Sequence, residues 1–157
     1  MRAFTFIAVA IALAACGRSE APSTSSQTPS AQTEAPDAAE MQAAVAALPA
    51  PYNAANYEAG RRVFAQCRSC HVIQAGAPHR VGPNLHGVFG REIGTAEGFT
   101  YSQAVQDADF VWDAAHLDEW LANPQTFLPG NRMAFAGVRN EEQRRDVTAY
   151  LMVEAAE

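Results

Sequence analysis

Three residues of this chain have the types and spacing to do chemistry together: Cys67, Cys70 and His71, in the run Cys67-Arg68-Ser69-Cys70-His71. Two thiols three residues apart share one turn of helix. From there both sulfurs reach the vinyl groups of a haem and form thioethers, and the histidine that follows directly is held under the iron as an axial ligand. This is the spacing of c-type haem attachment. Two other readings of a Cys-x-x-Cys pair are weaker. A dithiol redox centre wants a preceding βαβ pattern, and none is visible. A zinc site needs two further ligands nearby, and the only other cysteine, Cys16, lies far away in an apolar stretch.

The elements around this run must carry it. A first helix is expected from about Asn56 to Arg68, with Gly60, Val63, Phe64 and Cys67 at helical spacing on one face. Gly60 has no side chain, so a second helix can cross closely there. From Val72 to Thr100 the chain is rich in Gly and Pro and poor in periodic apolar residues, which predicts loops; so long an irregular stretch suits a chain wrapped around a large apolar ligand. Asp113 reads as the N-cap of a short helix through Leu117, Trp120 and Leu121, stopped by Asn123-Pro124. Phe127 to Arg139 reads as loop and contains Pro129-Gly130-Asn131-Arg132-Met133. The last helix begins at Asn140. Asn140 and Gln143 form a capping box, Glu141 and Glu142 suit the first turn, and Val147, Tyr150 and Leu151 make an apolar stripe.

The front of the chain is of a different kind. Residues 1–15 read as a signal peptide: one Arg precedes an apolar run from Ala3 to Ala15, which is shorter than the roughly 20 residues a helix needs to span a bilayer. The run ends Leu13-Ala14-Ala15-Cys16-Gly17, which resembles the lipobox of bacterial lipoproteins and makes Cys16 the expected lipid attachment site. Ordinary cleavage after Ala12-Leu13-Ala14, releasing a soluble periplasmic protein, is the alternative. Residues 16–51 are poor in bulky apolar side chains and contain Pro22, Pro29, Pro36 and Pro49, so they read as a disordered tether, with Met41 to Leu48 forming at most a fleeting helix. As a flexible coil, residues 17–51 would reach roughly 30–35 Å. The folded domain is placed at residues 52–157. The 157-residue chain has a net charge of −6, and all of its 11 basic residues are Arg. An acidic chain without basic runs argues against nucleic acid as a partner.

Beyond the haem motif, an ordered string of residues resembles class I cytochrome c. It comprises Gly60-x-x-x-Phe64, the Cys67–His71 run, Val81-Gly82-Pro83-Asn84-Leu85-His86-Gly87-Val88-Phe89-Gly90-Arg91, Gly98-Phe99-Thr100-Tyr101, Trp112, Leu121-Ala122-Asn123-Pro124, Pro129-Gly130-x-x-Met133-x-Phe135 and Arg145-Asp146-x-x-Ala149-Tyr150-Leu151. The likeness runs from about Tyr57 to Val153 and is strongest to the mitochondrial type and its short bacterial relatives. It implies an all-α fold wrapped around one covalent haem c with its iron, the first and last helices crossing at Gly60.

The resemblance also implies roles. Cys67 and Cys70 would carry the thioethers, and His71 and Met133 would ligate the iron. Pro83 would accept a hydrogen bond from the His71 ring. Arg91, Tyr101 and Trp112 match positions that bond or neutralise the haem propionates, and Asn131 matches a small polar residue near the same propionate. Trp120 stands where the family has Tyr beside the ligand methionine, which puts a hydrogen bond to the sulfur in doubt. Val105 stands where the mitochondrial type has Asn. His79 is expected to donate to a loop carbonyl, and His116 to face solvent. The implied function is one-electron transfer, not catalysis. As a monomer on the periplasmic side of a bacterial membrane, the protein would shuttle between a quinol-oxidising complex and a terminal oxidase or reductase of a respiratory or photosynthetic chain. The alternative is an electron-entry haem domain of a larger dehydrogenase or reductase, or a peroxidase-like enzyme.

Overall fold

The computed structural model describes residues 37–156. The signal peptide, Cys16 and the tether up to residue 36 lie outside the described residues. Six helices follow in order: α1 (Ala38–Ala46), α2 (Tyr57–Phe64), α3 (Gln103–Gln106), α4 (Ala114–Ala122), α5 (Pro124–Phe127) and α6 (Glu141–Glu154), with one turn of 3₁₀ helix at Tyr52–Ala54. No strand forms among the described residues; a single antiparallel bridge joins Glu92 to Val111.

The frame is the crossing of α2 on α6. A methyl group built on Gly60 would strike the Asp146 carbonyl oxygen and come 2.7 Å from Tyr150 Cβ, so only glycine lets the two backbones approach this closely. Tyr150 fills the space on either side of the notch, with ring centroids 5.4 Å from Tyr57 and 5.2 Å from Phe64. The buried Asp146 accepts from the Asn56 N–H at 2.9 Å, fixing the start of α2 against α6. Helices α2, α4 and α6 each open on a side-chain cap. Asn56, Asp113 and Asn140 accept from the backbone N–H of Ala59, His116 and Gln143, satisfying donors that a helix leaves orphaned.

Three boundaries differ from expectation. The first helix ends at Phe64 rather than Arg68; beyond it the chain tightens into consecutive turns, with Cys67 N–H donating to Phe64 O at 2.8 Å and His71 N–H to Cys67 O at 2.9 Å. Asn123-Pro124 stops α4 and also starts α5, because the Asn123 side chain caps the new helix and proline tolerates its first position. The third difference is larger. Ala38–Ala46 is a helix docked on the domain, not the end of a disordered tether. Val45 is fully buried, and Met41 and Leu48 pack beside it. The Gln42 amide donates to Ala55 O at 3.0 Å and accepts from Tyr57 N–H at 2.8 Å. Alanine carries the helix propensity, and three apolar contacts with one bidentate amide secure it.

Between α4 and α6 the chain returns across the C-terminal end of α4. Gly137 makes this possible at a φ of +89°, since a side chain there would run into the Ala122 carbonyl. Val138 N–H then donates to Leu121 O at 2.7 Å. Arg144, 8% exposed, closes the arrangement by donating to Asp118 and to the carbonyls of Val138 and Arg139. These contacts fix the span that carries Met133.

Candidate functional site

The proximal side is built from the turn after α2. Cys67 and Cys70 are free thiols, neither in a disulfide. Burial, and to a lesser extent the neighbouring Cys70, pushes the Cys67 thiol up to about 11. The His71 ring lies under the Gly82-Pro83 segment. Its Nδ1 is 2.8 Å from the Pro83 carbonyl oxygen, which has only lone pairs to offer, so Nδ1 carries the proton and Nε2 is the nitrogen with a lone pair to give. Burial lowers the His71 pKa, while the Pro83 bond opposes that shift. A methyl group on Gly82 would fall on the imidazole, 2.7 Å from each ring nitrogen, so Gly82 lets the backbone cover the ring.

The facing side is built from α4, α5 and the loop after them. Trp120 Nε1–H donates to the Met133 sulfur at 3.2 Å, so the hydrogen bond that the Tyr-to-Trp departure put in doubt does form: the indole reaches. Asn131 is hydrogen-bonded on every side. Its two N–H groups go to Pro124 O and Leu128 O, at 2.8 Å each, and its oxygen accepts from Met133 N–H at 2.8 Å. With both donors and its oxygen engaged, Asn131 organises the methionine loop. Trp112 packs edge-on to Trp120 at 5.5 Å and joins Arg91 through its backbone N–H. The Arg91 guanidinium donates to His86 O and Asn84 O, tying this side to the segment that follows Pro83. Burial raises the Tyr101 pKa, and Arg91 pulls it back.

The donor set fits a covalently attached haem. The residues expected to hold it fall on these two sides, with Cys67, Leu85, Phe89, Trp112, Trp120 and Phe135 packed along the apolar core between the helices. Ser102 Oγ, next to Tyr101, is buried without a protein partner, a polar group suited to a propionate oxygen. Among the described residues no group of three or more His, Cys, Asp or Glu side chains could hold a metal ion. Val105, on α3, is buried at 7% exposure. His79 accepts from Asn84 N–H at Nδ1, so Nε2 donates to Glu97 O at 2.7 Å, as expected. His116 faces solvent only in part: it stacks on Phe110 at 4.6 Å and sits 3.0 Å from Asp113.

A family model for cytochrome c matches residues 57–153, the span of both sides. This chain belongs to the cytochrome c family. Cytochrome c of Kluyveromyces lactis is 42% identical over 106 residues, which are 67% of this chain and 96% of that protein. Cytochrome c of Chlamydomonas reinhardtii is 47% identical over 93 residues, 59% of this chain and 83% of the relative. Cytochrome c2 of Blastochloris viridis is 42% identical over 107 residues, 68% of this chain and 84% of the relative. Membership makes the chain a haem electron carrier rather than an enzyme, with a covalent c-type haem and its iron as cofactor. The helical fold agrees with the class I cytochrome c expectation. Two residues of the site escape sequence reading. Ser102 is marked only by following Tyr101, and Gln125, which touches the methionine loop, has no motif to mark it.

Proposed function

We propose that this cytochrome c is a His71/Met133-ligated one-electron carrier held at the periplasmic face of a bacterial membrane through lipid on Cys16. In that place it takes electrons from a quinol-oxidising complex and delivers them to a terminal oxidase or reductase. The observation that supports the ligation is the pair of oriented donors. The Pro83 carbonyl turns the His71 lone pair to Nε2, and Trp120 holds the Met133 thioether from behind. Cys67 and Cys70 would hold the haem through thioethers, with Arg91, Tyr101, Trp112 and Ser102 at its polar edge. The bound haem would carry the single electron between donor and acceptor. The protein supplies a soft sulfur donor that favours reduced iron, apolar walls, and occupation of the sixth position, which leaves no room for substrate at iron.

The lipobox-like run ending in Cys16 supports the anchoring, and the acidic domain shapes the partner reading. From Tyr52 onward there are 9 Arg against 13 Asp and Glu, so strong positive steering toward an acidic partner is absent overall. Intact mass with redox spectroscopy of membrane-extracted protein tests the proposal. The expected result is one haem plus diacylglycerol on a chain beginning at Cys16, with a sulfur-to-iron charge-transfer band in the oxidised state. A chain without lipid removes the anchor, and a spectrum with no sulfur donor at neutral pH removes Met133 as ligand.

A further inference from the structure

We infer that Gln125 is a positioning residue that holds the Met133 loop shut. The inference rests on the reading of Met133 as axial ligand. Gln125 sits at the second position of α5, eight residues before Met133, and its amide nitrogen donates twice: to Asn131 Oδ1 at 3.1 Å and to the Met133 carbonyl oxygen at 3.0 Å. The same Asn131 oxygen accepts the Met133 N–H at 2.8 Å. Both backbone polar groups of Met133 are therefore bound by side chains, its N–H by Asn131 and its C=O by Gln125, while Trp120 holds its sulfur at 3.2 Å. Gln125 bonds to Asn131 as well, so the two amides form one clasp rather than two separate contacts. The next residue back is pinned too, Arg132 donating to Thr100 O at 2.8 Å. For Met133 to leave the iron, its loop must open, and opening breaks the clasp. Gln125 therefore sets how often the sixth position becomes available to an outside ligand.

The test is cyanide association with the oxidised holoprotein at neutral pH, read beside the sulfur-to-iron band and hydrogen exchange of the Met133 amide. Gln125→Leu removes both donors; Gln125→Glu keeps the length but faces two acceptors with a carboxylate. Each variant is expected to bind cyanide about tenfold faster, the change produced by losing roughly one net hydrogen bond. The Met133 amide should exchange faster by a similar factor, with the band still present. Thr126→Ala, one position on and with no side-chain bond to the loop, should match the parent. Gln125 variants indistinguishable from the parent, or a Thr126→Ala effect of equal size, overturn the inference while leaving Met133 ligation standing. A parent protein without the sulfur-to-iron band overturns both.

Discussion

At Met133 a single donor decides how the sulfur behaves. With Met133 on the iron, as proposed, the Trp120 N–H would draw electron density from the thioether and disfavour the oxidised iron more than the reduced. Trp120→Phe is expected to lower the reduction potential by about 20–60 mV, the one-electron equivalent of a net hydrogen bond of about 0.5–1.5 kcal/mol; equilibrium redox titration measures it. The sequence put a Trp beside the methionine but left the bond open, because donor reach depends on where the α4 side chain meets a loop with no periodicity of its own. Asn131 and Gln125 were illegible for the same reason: which acceptor an amide chooses is settled by loop shape, not by residue type. The absence of any lysine, in contrast, is read straight from the sequence and has a consequence at high pH. If Met133 is displaced by alkali, no lysine amine can replace it, so the incoming ligand must be hydroxide or another group. Magnetic resonance of the alkaline form is expected to show no amine donor other than the N terminus, and a lysine-like signature would refute this.

Among the elements, those with strong caps and stripes were legible and those held by tertiary contacts were not. The starts at Asp113 and Asn140 are local capping chemistry, so the sequence located them to the residue, and it placed the first helix start at about Asn56. The one-turn helices α3 and α5 are too short for a period to show. Helix α1 was read as at most fleeting because it has a thin stripe (Met41, Val45, Leu48) in an alanine-rich background; its hold on the domain comes from Gln42 and the burial of Val45. Val45→Ala should therefore cost about 2 kcal/mol of unfolding free energy in urea, from two lost methyl groups and the space they leave. A disordered tether would give no change. Asp113 makes a pH prediction at the start of α4. The backbone bond to His116 is the first cause that holds its carboxyl below the usual value. A depressed folded-state pKa means the stabilisation is complete above the unfolded value and lost as pH falls through the folded one. Asp113→Ala should cost about 1 kcal/mol at pH 7, and the gap between variant and parent should narrow below about pH 4. Urea midpoints at pH 7 and pH 3 measure both.

For the whole molecule, the docking of α1 changes what an anchor at Cys16 would do. Asp37 lies only 21 positions after Cys16, so even a fully extended chain would hold the domain within about 75 Å of a lipid on Cys16. Such confinement would bring the carrier to the proposed membrane partners at an effective concentration approaching the mM range, against µM for a released protein. The domain is net acidic and has no lysine, so strong positive steering toward an acidic partner is absent overall. Two interventions separate the contributions. Proteolytic cutting between Cys16 and Asp37 releases a domain with α1 in place; a cut near residue 51, the boundary read from sequence, would also strip away the buried Val45 and confound the result. In membrane vesicles carrying both the carrier and its partners, the clean cut is expected to slow electron exchange about 100-fold at µM protein. Raising ionic strength from 0.01 to about 0.15 M shortens the Debye length from about 30 to about 8 Å and should change the rate of the uncut protein far less. If salt is the larger of the two effects, charge and not attachment governs the encounter, and the anchored-carrier reading fails.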